Sequence, residues 1–98
     1  MTTTSFLDRT FADVTAAADA AFRESFLAVA GPGYGPEVEV AWVAWRAALR
    51  VGATVRQAVT VATDAALDRN ARRRRRRLPD STVIAAVEVA DTWARAGF

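Results

Sequence analysis

The chain has 98 residues, a formal net charge of +2 and 52% apolar residues, and its thirteen basic residues are all arginine, with no histidine and no cysteine. Imidazole bases, thiol nucleophiles, disulfides and cysteine- or histidine-bound zinc are therefore excluded. The length allows one domain with a modest core, and no apolar run approaches the ~18 to 20 residues of a membrane span, so the expectation is a cytoplasmic protein with no membrane span and no signal sequence.

In chain order, Ser5 followed by Asp8 has the spacing of an N-cap with an acid facing the positive end of a helix dipole. Leu7, Phe11, Val14, Ala18, Phe22 and Val29 recur at threes and fours, Phe26 broadens that stripe, and Asp19 with Arg23 makes an i,i+4 pair. The pattern predicts helix 1 over about 6–29. The segment GPGYGP, residues 31–36, ends it, because Gly31 suits a left-handed C-cap and Pro32 cannot continue the ladder. A phosphate cradle would need a following Gly-Lys-Ser/Thr, which is missing, so the segment reads as a tight connection with Tyr34 at its tip.

Two architectures compete for the central segment. AALRVGATVRQAVTVA, residues 47–62, has the outline of a helix-turn-helix, with Gly52 at the turn, Thr54 as the next cap, and Thr54, Arg56, Gln57 and Thr60 facing a major groove. Against that, at 100° per residue Glu39, Arg46, Arg50, Gln57, Thr60, Asp64 and Asp68 fall within about 40° of one line. That shared polar line favours a single helix over about 37–76, opposed by the cost of about 1 kcal/mol for Gly52 in a helix interior and by an overhang beyond a compact monomer. A break near Gly52 is the alternative. Trp45 lies on the core flank of this wheel and Trp42 inside its polar arc, which suggests an interface anchor for Trp42.

The charge is unevenly spread: residues 1–68 are net −3, residues 69–79 are net +7, and residues 80–98 are net −2. Arg72, Arg73, Arg74, Arg75, Arg76 and Arg77 surround every side of a helix end and repel one another at i,i+3 and i,i+4. Unpartnered, such a block is expected to fray, and an anion is expected to order it. Nucleic acid, an acidic protein partner, another copy of the chain and an anionic membrane surface are the candidate anions, and a solvated connector is the bland alternative. Beyond LPDST, where Asp80 or Ser81 can cap, Val83, Val87, Ala90 and Ala94 predict helix 3 over about 81–96, with an Asp91/Arg95 pair and Gly97 at its close.

No nucleophile, base and orienting group can be assembled, since Asp64 and Asp68 read as helix-surface charges and Glu37 and Glu39 as first-turn acids. The expected protein is thus non-enzymatic, without cofactor or metal. The expected fold is all-α: an elongated helical hairpin plus a shorter C-terminal helix, three helices in all. They are expected to form a dimeric helical bundle through the Ala/Val face of the central helix. The expected function is phosphate-backbone binding of nucleic acid, with low sequence specificity, through Arg72 to Arg77 supported by Arg69. The alternative is a protein-protein adaptor or homo-oligomer docking through Trp42, Trp45, Val51, Val55 and Val59.

Overall fold

The computed structural model describes residues 3–96, with side chains from residue 16 onward. The expected cap at Ser5 and Asp8, the apolar positions Leu7, Phe11 and Val14, and Gly97 lie outside the described side chains. The described residues form an all-α fold, but the expected count of three helices is corrected to four among them: α1 (Thr3–Ala30), α2 (Gly35–Arg50), α3 (Val55–Ala71) and α4 (Asp80–Ala96). The long central helix does not exist. It is divided at Gly52, the alternative the sequence had left second.

Local chemistry specifies that division from both sides. Gly52 has φ +85°, its N–H donates to the Leu49 carbonyl at 3.1 Å, and the Ala53 N–H donates to the Ala48 carbonyl at 3.0 Å. These are the two bonds of a Schellman C-cap, which needs a residue in the left-handed region where Cβ is penalised. Thr54 then caps α3: the Gln57 N–H donates to its Oγ1 at 3.1 Å, and its own N–H donates to Gln57 Oε1 at 2.9 Å. This reciprocal capping box satisfies two donors that a continuous helix would satisfy internally. A Cβ on Gly52 would meet nothing within 4 Å. Gly52→Ala is therefore expected to cost about 1–2 kcal/mol through backbone strain alone. In a continuous helix the same change would stabilise by about 1 kcal/mol, so the sign in a urea melt separates the two.

The polar line misled because it combined two helices with different phases. On the same wheel, the buried Ala58, Ala62 and Ala66 of α3 centre opposite Arg46, whereas the buried Val38, Ala41, Trp42 and Trp45 of α2 centre about a quarter-turn away. Trp42, placed in the polar arc by sequence, is covered because Phe22 of α1 lies 5.5 Å from its ring centroid and Trp45 stacks on it at 5.5 Å.

Each helix runs antiparallel to the next in chain order. α2 and α3 are joined at residues 51–54, yet Glu37 at the start of α2 meets Arg73 just past α3 at 2.7 Å. Two arms of about 25 Å crossing near 90° would hold those ends about 35 Å apart, so the pair is an αα-hairpin and not a helix-turn-helix. Thr54 and Gln57 are occupied by the cap.

The core takes its bulk from Phe22, Phe26, Trp42 and Trp45, and its close approach from alanines. In α3, Ala58, Ala62 and Ala66 recur every fourth residue and are fully buried, so this helix contributes small side chains to the core that holds the large rings of α1 and α2. In α4 the stripe Val83, Val87, Ala90 and Ala94 is fully buried as its spacing predicts. The face expected to make a dimer is largely consumed within one chain, since Ala41, Ala62 and Ala66 are buried and Val59 packs on the core. Val51 is 84% exposed in the turn and Val55 is 39% exposed. No helix among the described residues is long and apolar enough to cross a membrane.

Candidate nucleic-acid interface

The arginine run is not the end of a helix. α3 stops at Ala71, with the Arg72 and Arg73 N–H groups turned back onto the carbonyls of Arg69 and Asn70, and residues 72–79 form the connection to α4. Mutual repulsion opposes continuing the helix through six guanidiniums, and three side chains hold the alternative path.

Asn70, 2% exposed, closes the connection: its Nδ2 donates to the Leu78 carbonyl at 2.9 Å, and the Leu78 N–H donates to its Oδ1 at 3.0 Å. An amide side chain here mimics the backbone pairing that residues 72–77 do not supply. Tyr34 OH donates to the Arg76 carbonyl at 2.5 Å, and Arg76 has φ +56°, the left-handed region that an L side chain rarely adopts.

Arg73 is the third fastener. Its Nε and Nη2 donate to the two carboxylate oxygens of Glu37, each at 2.7 Å, and Nη2 also donates to the Gly33 carbonyl at 2.8 Å. Its guanidinium lies 4.4 Å from the centroid of the Tyr34 ring. Glu37 is fully buried and the Arg73 side chain is 22% exposed. Burial works to raise the Glu37 pKa, but hydrogen bonds from Arg73 and from its own backbone N–H, with the charges of Arg73 and Arg69, outweigh it and hold the carboxyl below its ordinary 4.5. The hydrogen bonds that Arg73 donates to Glu37, opposed by desolvation and helped by the charge of Glu37, raise the Arg73 pKa above its ordinary value.

The seven arginines therefore divide. Arg73 belongs to the fold. Arg77 donates its Nε to the Arg73 carbonyl at 2.7 Å, bracing the connection while its side chain remains on the surface. Arg72 makes an i,i+4 pair with Asp68 at 3.2 Å, both side chains about two-thirds exposed. Arg69, Arg74, Arg75 and Arg76 are exposed, with no side-chain ion pair among the described residues. These exposed guanidiniums gather at the end of the bundle where α1 and α3 finish and α2 and α4 begin.

The residues named for the adaptor alternative sit elsewhere. Trp45 is 2% and Trp42 5% exposed, and both are core residues. Trp45 Nε1 donates to Asp91 Oδ1 at 2.8 Å, and Arg95 donates to both oxygens of the same carboxylate. The sequence pointed to Asp91/Arg95 as an i,i+4 pair but not to the tryptophan. The available signal was that Asp91 falls between Ala90 and Ala94 beside the buried stripe, where an acid needs a donor. Glu37 offered a similar signal, adjoining Val38 on the apolar flank of α2, and it was read only as a first-turn acid. Among the described residues no group of three or more acidic side chains is placed to hold a metal ion.

Comparison with known proteins finds no family model, no curated protein and no solved structure that matches this chain.

Proposed function

We propose that the protein binds the phosphate backbone of nucleic acid, without enzymatic activity and with low sequence specificity, through the exposed guanidiniums of the α3–α4 connection. The observation that carries this reading is the exposure of Arg74, Arg75 and Arg76, without ion-pair partners among the described residues, on a connection whose backbone is fixed by Asn70, Tyr34 and Arg73. A pinned backbone reduces the ordering cost of binding, and guanidiniums pair readily with phosphate oxygens. Backbone contacts position a protein on a duplex without reading its bases, which accounts for the low specificity. The chain outside this segment is net acidic, so attraction to a polyanion is confined to one end of the bundle. Arg73 is assigned to holding the connection and not to phosphate.

Fluorescence anisotropy against a duplex across a salt series tests this. If Arg72, Arg74, Arg75 and Arg76 each neutralise one phosphate, log K should fall against log salt with a slope of about −3.6. The triple variant R74S/R75S/R76S should reduce that slope to about −1. Binding that ignores salt, or a slope unchanged in the triple variant, would remove the proposal. The adaptor reading has weaker support, because Trp42 and Trp45 cannot reach a partner while the bundle is folded.

A further inference from the structure

Two adjoining hollows flank the start of α2 and the end of α3. The first, about 210 Å³, is lined by Pro36, Glu37, Arg69, Arg72 and Arg73. The second, about 480 Å³, shares Pro36, Arg69 and Arg72 with it and is lined also by Glu39, Val40, Ala65 and Asp68. The first is smaller than the ~300–1,000 Å³ typical of drug-sized ligands, a size suited to a small ion or one substituent of a larger molecule.

Its charges do not cancel. Three guanidiniums face a single carboxylate, and Glu37 is already engaged by both donors of Arg73 and by its own backbone N–H. The start of α2 is thus served from within, and the surplus charge belongs to Arg69 and Arg72. Arg69 has no ion-pair partner among the described residues, and the Arg72/Asp68 pair is exposed on both sides, the kind of pair that contributes little net strength and yields readily to a stronger anion. Beside these guanidiniums, the second hollow is lined by the apolar Val40 and Ala65 and by the carboxylates of Glu39 and Asp68.

We infer that this paired hollow binds a phosphate monoester, its dianionic phosphate between Arg69 and Arg72 and its uncharged body over Val40 and Ala65. The dianion is the form present at neutral pH, because the second phosphate pKa is about 6. Glu39 and Asp68 each pair one oxygen with an arginine, Arg23 and Arg72, and their other oxygens can accept hydrogen bonds from hydroxyls of the body. The site shares Arg72 with the proposed polymer binding but not Arg74, Arg75 or Arg76, which line neither hollow, and a free phosphomonoester or the terminal phosphate of a strand offers the same chemistry.

Inorganic phosphate titrated into the ¹⁵N-labelled full chain at pH 7.5, with sodium chloride matching ionic strength throughout, tests the site. The backbone amides of Gly35, Glu37, Val38 and residues 69–73 should shift and saturate, and R69S/R72S should weaken that response at least tenfold. R69S alone breaks no ion pair and should weaken it at least threefold, which covers the case of a double variant that folds poorly. R74S/R75S/R76S should leave it within twofold. Shifts that stay linear to 100 mM, that ignore R69S, or that vanish in R74S/R75S/R76S would overturn the site. Competition by 5′-phosphorylated and 5′-hydroxyl oligonucleotides of one sequence assigns the source. An advantage for the phosphorylated strand lost in R69S identifies a strand terminus, and equal competition with saturable inorganic phosphate identifies a free phosphomonoester. Saturable phosphate without salt-dependent duplex binding would leave this site standing and remove the polymer reading, and the converse result would do the reverse.

Discussion

Arg73→Ala is expected to destabilise the fold by about 4 kcal/mol, a large share of the roughly 5–15 kcal/mol that holds a domain of this size together. The loss is not that of a surface ion pair, because Glu37 is fully buried and both its carboxylate oxygens accept from this one guanidinium. Removing the arginine leaves a charge in the interior with too few donors. Glu37→Gln should cost less, about 3 kcal/mol, since Arg73 is 22% exposed and can turn toward water. Replacing both residues by methionine should recover most of the loss, as apolar pairs often match buried ion pairs. The acid dependence gives a second signature. In the native chain the Glu37 pKa is lowered from its ordinary 4.5, so its contribution is present above that value and disappears as pH falls through the lower folded value. Without Arg73, burial dominates and pushes the carboxyl up, so Arg73→Ala should instead gain relative stability as pH falls from 7 toward 5. Urea melts at several pH values measure both effects. A cost under about 1 kcal/mol with an unaltered acid limb would show that the pair does not fasten the connection.

This role for Arg73 changes how an arginine run is read. Composition presents Arg72 to Arg77 as six equivalent charges, and nothing in the run distinguishes the second position from the first or third. The distinction arises in the tertiary structure, where the GPGYGP turn brings Tyr34 and Glu37 beneath the connection, 42 and 36 residues away from their partners Arg76 and Arg73. Periodicity carries information only within an element, so contacts of that separation leave no mark on it. Within elements it succeeded where apolar residues alone define the face: Val83, Val87, Ala90 and Ala94 are buried in α4, and Ala18, Phe22 and Phe26 in α1. It failed at α2, where polar residues flank the buried face on one side only and happen to continue the polar line of α3. The cap signals Gly52 and Thr54 were both present in the sequence, and their agreement outweighs a shared phase, because a Schellman turn followed by a capping box satisfies the helix ends on each side of the break. Val29, assigned to the stripe of α1, is 37% exposed, and Ala30 takes the buried place beside the turn.

Asp91→Ala is expected to cost about 3 kcal/mol, and Trp45→Ala about 4 kcal/mol, both read from urea melts at pH 7. The tryptophan is 2% exposed, its ring centroid is 5.4 Å from that of Phe22 and 5.5 Å from that of Trp42, and its single polar atom donates to Asp91 Oδ1 at 2.8 Å. An indole N–H in the interior needs that acceptor, and Asp91, 4% exposed, needs donors in return. Arg95 supplies the remaining donors while leaving 42% of its own side chain in water. Trp45→Phe separates packing from hydrogen bonding, since it keeps an aromatic ring and deletes the donor, and it should cost about 1–2 kcal/mol. In the Trp45→Phe, Asp91→Ala double variant the losses should fall short of additive by about 1 kcal/mol or more, because either change alone already breaks the bond. Strict additivity would mean that the two residues stabilise the bundle independently. Because this bond joins α2 to α4 about 12 Å along α2 from the Glu37/Arg73 pair that joins α2 to the α3–α4 connection, and shares no partner with it, the two losses should add when combined. Two buried acids, each matched to one donor group on another segment, thus fix where α2 sits, while the alanines of α3 and α4 allow the close approach that the acids orient.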